Sequence, residues 1–208
     1  MKTNLTGRHV IVAAVLVAAS LVTAACTSTP VTVTHPDAPK PLASGSWPYS
    51  NGDLADTRDA AGSTITSANV SGLKQAWTFR ITGTAAAGIG SDGALSANPI
   101  VVNGVVYIQD LDANVYALAL ATGRLKWEYE LNTPMKTGPG PDGVAVADGT
   151  VYGISPTTVF ALNARTGKKI WVNSHLLGTG QGTFEIQPQV AAGRVYLASA
   201  YGSGPGGG

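Results

Sequence analysis

Two near-copies of one phrase lie forty-four residues apart and limit what this chain can fold into more than any other feature. Ala117-Leu118-Ala119-Leu120-Ala121-Thr122-Gly123-Arg124-Leu125-Lys126-Trp127 returns as Ala161-Leu162-Asn163-Ala164-Arg165-Thr166-Gly167-Lys168-Lys169-Ile170-Trp171. A second phrase runs in step with it, as Val102-Asn103-Gly104-Val105-Val106-Tyr107 and Val146-Ala147-Asp148-Gly149-Thr150-Val151-Tyr152, and comes a third time as Val190-Ala191-Ala192-Gly193-Arg194-Val195-Tyr196. A fixed period of this size marks a repeat architecture and falls in the range of propeller blades.

Within one period the signals are those of strands. Val101, Val102, Val105, Val106 and Tyr107 form a β-branched and aromatic run bent at Asn103-Gly104, which reads as strand, tight turn, strand. Asp110 to Asn114 supplies the next turn, Val115 to Leu118 the next strand, and Thr122-Gly123 turns the chain again. Leu125, Trp127, Tyr129 and Leu131 then alternate with Lys126, Glu128 and Glu130, the period of two expected of a half-buried antiparallel strand. Trp77, Phe79 and Ile81 repeat that alternation around Thr78 and Arg80, which predicts an equivalent strand there. Four short strands ending in a recurrent tryptophan describe a propeller blade. Trp77, Trp127 and Trp171, with Gly123 and Gly167, are therefore the expected contacts between blades, since large aromatics dominate core energetics.

The fold class is all-β, an incomplete β-propeller of about two and a half blades. Closed propellers have typically four to eight blades, and open ones expose strand edges. The repeats are accordingly expected to continue past Gly202-Ser203-Gly204-Pro205-Gly206-Gly207-Gly208 in a longer protein of seven or eight blades. The alternative is a small protein that assembles from several chains.

Residues 1–25 have the form of an export signal. A basic head of Lys2, Arg8 and His9 precedes an apolar run from Val10 to Val22, too short for a comfortable membrane span, and small residues follow. Thr23-Ala24-Ala25-Cys26 resembles the bacterial lipobox, in which the cysteine is acylated and becomes the mature N-terminus; Thr23 stands where a leucine-like residue is usual. Cys26 is the only cysteine and has no internal disulfide partner. The alternative is plain cleavage near Ala25. Residues 26–46 are rich in Thr, Pro, Ser and Ala and read as a tether, and residues 47–208 carry the repeats. Loss of Lys2 and Arg8 with the leader turns the formal charge of +1 into about −1. That balance argues against a nucleic-acid partner, which normally requires a basic face.

The Ala-Leu-x-x-x-Thr-Gly-x-x-x-Trp phrase resembles the tryptophan-docking repeat of pyrroloquinoline quinone (PQQ) type propellers, the quinoprotein alcohol dehydrogenase-like family. The opening stretch is similar too: Trp47-Pro48-Tyr49-Ser50-Asn51-Gly52-Asp53-Leu54-Ala55-Asp56-Thr57-Arg58, then Asn69-Val70-Ser71-Gly72-Leu73-Lys74-Gln75-Ala76-Trp77-Thr78-Phe79. The resemblance covers Trp47 to the end. It implies an eight-bladed ring whose last blade is closed by the first tryptophan strand, with PQQ and calcium in the channel.

Residue by residue, the implied site is incomplete. The dehydrogenases often carry adjacent cysteines and an arginine just before the second blade's Gly-Val-Ala-Val strand. Here Gly143-Val144-Ala145-Val146 follows Lys136-Thr137-Gly138-Pro139-Gly140-Pro141-Asp142, with no cysteine pair and with Asp142 about where the arginine would be. Ser96 stands at the family's glutamate three residues before Pro99, and Tyr201 near a calcium-ligating glutamate. The family's catalytic aspartate would lie beyond Gly208. Glu185, three residues before Pro188, is the one weak candidate for a cofactor or channel residue. Catalytic residues are unassigned, and no metal site is expected.

Other motifs carry less. Gly88 to Gly93, Gly138 to Gly143 and Gly202 to Gly207 match G-x-G-x-x-G, but none follows a strand and opens a helix. Asp110, Asp112 and Asn114 have the alternate spacing of a calcium loop without its glycine or closing glutamate, and read as a turn. His35 lies in the tether and His175 stands alone, so no zinc set is present. Two functions remain: a lipid-anchored extracytoplasmic binding or scaffold module, whose protein or small-molecule partner is unknown, or a PQQ- and calcium-dependent dehydrogenase of alcohols or sugars. For the anchor, Cys26→Ser or globomycin treatment should release the protein from the membrane fraction; unchanged fractionation would remove the lipid from the account.

Overall fold

The computed structural model describes residues 45–60, 62–81, 95–133, 140–178 and 182–200. The signal, Cys26, almost all of the tether and the first and last glycine-rich stretches lie outside the described residues.

Two four-stranded antiparallel sheets repeat the same plan. The first is β1 (Ile100–Val102), β2 (Val105–Gln109), β3 (Val115–Ala119) and β4 (Leu125–Tyr129), paired in sequence order. The second is β5 (Ala145–Ala147), β6 (Thr150–Ile154), β7 (Val159–Asn163) and β8 (Lys169–Asn173). A third repeat contributes β9 (Thr183–Phe184), β10 (Gln189–Ala191), β11 (Arg194–Tyr196) and β12 (Ser199–Ala200), with β10 paired to β11 and β9 to β12. The first strands of successive repeats, β1, β5 and β10, lie side by side. The helical content of the described residues is one 3-10 turn, Val70–Gly72.

The hairpins follow from their turn residues. Val102 pairs with Val105, Ala147 with Thr150 and Ala191 with Arg194, so each first hairpin has a two-residue loop. Both loop residues take positive φ, 50° and 71° at Asn103-Gly104, 48° and 73° at Asp148-Gly149, 49° and 69° at Ala192-Gly193. This is the hairpin turn whose twist matches that of the strands. A register shift falls at the same place in both full sheets, between Ala117 and Leu118 and between Ala161 and Leu162. The extra residue in the fourth strand, Lys126 or Ile170, bends it just before its tryptophan.

Between the two sheets the contact is an indole laid on a glycine. Trp127 is 9% exposed, its Nε1 donates to the Ala164 carbonyl at 2.9 Å, and Tyr107 Oη donates to the same carbonyl at 3.2 Å. A Cβ on Gly167, whose φ is +70°, would stand 2.7 Å from the Trp127 ring. Trp77 repeats this on the first sheet, with Nε1 donating to Leu120 O at 2.7 Å and its ring 2.5 Å from a Cβ on Gly123. The core cluster around Trp127 crosses both sheets, taking in Tyr107, Val115, Val151, Phe160 and Leu162.

One expectation changes. Trp77, Phe79 and Ile81 do pack on Val106, Tyr116 and Leu118, but residues 73–81 form no strand with the described residues. Trp171 has Tyr152 against its ring, 6.2 Å between centroids, yet is 41% exposed, and no docking turn for it is found among the described residues.

Asp110 is more than a turn residue. Its carboxylate is fully buried and accepts from Asp112 N (3.0 Å), Asn114 N (2.8 Å), Asn114 Nδ2 (3.1 Å) and Tyr116 Oη (2.9 Å). Asn114 Oδ1 then accepts from Leu131 N and Asn132 N at 2.8 and 2.9 Å, which holds the chain as it leaves β4. Such a network is costly to half-satisfy. Asp110→Ala would strand several buried donors and should lower stability by about 3 kcal/mol or more. Trp127→Ala should cost about 3–5 kcal/mol, a fall in Tm of roughly 10 °C. A melt of the Trp127 variant within a degree or two of wild type would refute the docking account.

Candidate functional site

Each repeat begins with a short segment that runs toward its first strand, and three of these meet at one end of the sheets. Asn98 N donates to Asp142 O at 3.1 Å and Asp142 N donates to Glu185 O at 2.9 Å, so backbone bonds join the three segments directly. Gly140 admits this approach: a Cβ there would stand 2.6 Å from the Glu185 carbonyl oxygen. Gly143, at φ +127°, lies between Asn98 O and the Gln187 amide in the same way.

The side chains gathered here are two carboxylates, two hydroxyls and an amide. Ser96 Oγ donates to Pro141 O at 3.2 Å, and its single proton is shared with the Asp142 carboxylate beside it. Thr183 Oγ1 donates to Glu185 Oε1 at 2.8 Å. Gln187, 7% exposed, donates through Nε2 to Val144 O at 2.7 Å, while its Oε1 is buried without a partner. Asp142 is held above the usual carboxylate range, first by burial and further by the charge of Glu185, with the Ser96 hydrogen bond opposing both. Among the described residues, no cationic side chain enters that balance.

Glu185, the single candidate in this chain for a channel residue, thus sits with Ser96 and Asp142, two of the positions at which the quinoprotein pattern is broken. Sequence reasoning treated the three separately and missed Gln187 and Thr183. Of the other motifs, Asp110, Asp112 and Asn114 are tied into the network above, and His175 is exposed beside Ser174. Gly88 to Gly93 and Gly202 to Gly207 lie outside the described residues, and Gly140 to Gly143 opens no helix. No group of three His, Cys, Asp or Glu is found among the described residues. A cavity of about 420 Å³ lies at the opposite end of β1, between Trp47, Ser63, Ile65 and Leu120, and holds no titratable side chain.

PQQ is a tricarboxylate, and holding it requires cations and hydrogen-bond donors facing its carboxylates. Two acids and an unpartnered amide oxygen do not fit that group. Two carboxylates are also few for calcium, which takes six to eight oxygens.

Residues 47–145 match the family described as PQQ: glucose/ethanol/alcohol dehydrogenase, beta-propeller domain. The chain is 30% identical over 165 residues to the 1-butanol dehydrogenase (cytochrome c) of Thauera butanivorans, a match covering 76% of this chain and 23% of that protein. It is also 30% identical over 119 residues to the tetrathionate hydrolase of Acidithiobacillus ferrooxidans, covering 54% of this chain and 23% of the relative. The crystal structure of the quinohemoprotein alcohol dehydrogenase from Comamonas testosteroni superposes with a TM-score of 0.62 at 27% identity, over 74% of this chain and 23% of that one. The chain therefore spans about a quarter of the length of the curated relatives it matches. With its docking tryptophans, its two complete four-stranded repeats and these relatives, the chain belongs to the PQQ-type, quinoprotein-like β-propeller repeat family.

Proposed function

We propose that the protein is a lipid-anchored, extracytoplasmic propeller of the quinoprotein type that works as a binding module. The observation that supports this reading is the joining of Ser96, Asp142 and Glu185 at the repeat entrances, an acidic constellation at positions where the quinoprotein pattern calls for an arginine and a differently placed glutamate. Acylated Cys26 fixes the chain to the membrane, and residues 26–46 carry the propeller clear of the surface. No helix among the described residues is long and apolar enough to cross a membrane. The net charge of about −1 leaves nucleic acid out of its partners.

One observation favours a second reading, a PQQ- and calcium-dependent dehydrogenase of alcohols or sugars. The relatives named for 1-butanol and alcohol oxidation match over most of this chain. The tetrathionate hydrolase match weighs the other way, since these repeats also serve a protein named for a hydrolysis. Turnover separates the two. Supplied with PQQ and calcium and offered a panel of alcohols and sugars, the protein should reduce no dye; substrate-dependent dye reduction would replace the binding reading with the dehydrogenase.

A further inference from the structure

We infer that the repeat entrance excludes carboxylate-bearing quinones by charge and prefers ligands that bring hydrogen-bond donors or positive charge. The inference rests on the binding reading above and names the ligand chemistry of the same site.

The geometry fixes the two acids in place. Asp142 and Glu185 belong to segments bonded backbone to backbone at 2.9 Å, and Asp142 is bonded in turn to Asn98 at 3.1 Å. Glu185 is oriented by Thr183 at 2.8 Å, and its backbone rests on Gly140. Neither carboxylate is on a long free loop that swings away when a ligand arrives. The remaining polar groups add to the same imbalance. Pro141 O, which accepts from Ser96, and Gln187 Oε1, buried beside Gly143 with no partner, are acceptors as well. A cofactor whose rim is made of carboxylates would bring further negative charge against Asp142 and Glu185, and among the described residues no cation enters the Asp142 balance. Burial and the charge of Glu185 already hold the Asp142 carboxyl above its usual range, so a further carboxylate beside it is disfavoured.

The test compares PQQ with its trimethyl ester, the same ring system with its carboxylates neutralised, by equilibrium dialysis against the full-length protein. The ester should bind at least about tenfold more tightly than PQQ at low salt, and the ratio should shrink as salt screens the acids. In D142N/E185Q, which keeps shape and hydrogen bonding, the ratio should fall to within about threefold, or PQQ binding should appear where wild type had none. A thermal melt matching wild type certifies that variant. Equal binding of PQQ and ester by wild type overturns the inference, as does a ratio that D142N/E185Q leaves unchanged. Binding of neither compound by either protein overturns it too, because charge would then not be what excludes the ring. Dye reduction would sink the binding reading; tight PQQ binding without dye reduction would sink this inference alone.

Discussion

The stacking of an indole on a glycine is the interaction on which the rest of this structure depends. A sheet of four short strands has two faces to bury and little area of its own, so one blade is not a stable unit. Trp127 solves this for the first sheet by lying on the Gly167 turn of the second. The Ala164 carbonyl accepts from both Trp127 and Tyr107, so β4 and β2 of one sheet are tied to one atom of the next. A tryptophan buries roughly 150–250 Å², worth about 4–6 kcal/mol at the usual coefficient. The glycine is required twice over, by its positive φ and by the absence of a Cβ beneath the ring.

That arrangement also divides each repeat into two ends with different freedom. At the end of the two-residue hairpins and Thr-Gly turns, the repeats are alike: the same hairpin conformation comes back in all three, and the same docking geometry at Gly123 and Gly167. At the opposite end they diverge. The first repeat uses Asp110 to Asn114, knitted by a buried carboxylate. The second uses the shorter Ser155 to Thr158, where Ser155 Oγ has no partner. Nothing in the docking restrains this end, so differences between repeats accumulate here and site chemistry has room to form.

Much of the fold was legible because its determinants are local or periodic. Asn103-Gly104 and Asp148-Gly149 announce their turns, and the alternation of Leu125 to Leu131 gives the half-buried strand, with Trp127 inside and Glu128 outside. Where the reading fell short, the cause lay in contacts far apart in sequence. Trp77 to Ile81 has a strand's alternation, but pairing needs a neighbour that the pattern cannot supply. Leu125 belongs to the apolar set and is 40% exposed; it opens β4 at the register shift. The Asp110 loop reads as a turn and is one, but its burial is not local, since it comes from Tyr116 and from the chain after β4. At the site, Ser96, Asp142 and Glu185 are each an ordinary substitution in sequence. Their meeting depends on how three repeats stand beside one another, and no single period contains that information.

The buried amides show why this meeting has a definite sign. Gln109 spans from the first sheet to the second, giving Nε2 to Ile154 O at 2.7 Å, and Gln187 spans from the third repeat back to the second, giving Nε2 to Val144 O at 2.7 Å. In both, the donor half of the amide satisfies the neighbouring blade and the acceptor half is left over. The surplus is thus generated by the way blades are stitched together, before any ligand is considered. A buried acceptor without a partner costs on the order of 1–3 kcal/mol, so a group that brings a donor recovers that cost and a group that brings another acceptor adds to it. Asp142 and Glu185 extend the same bias from neutral oxygens to charged ones. An arginine at position 142 would oppose the bias, while the aspartate compounds it, and for that reason this departure from the quinoprotein pattern weighs most on which ligands suit the entrance.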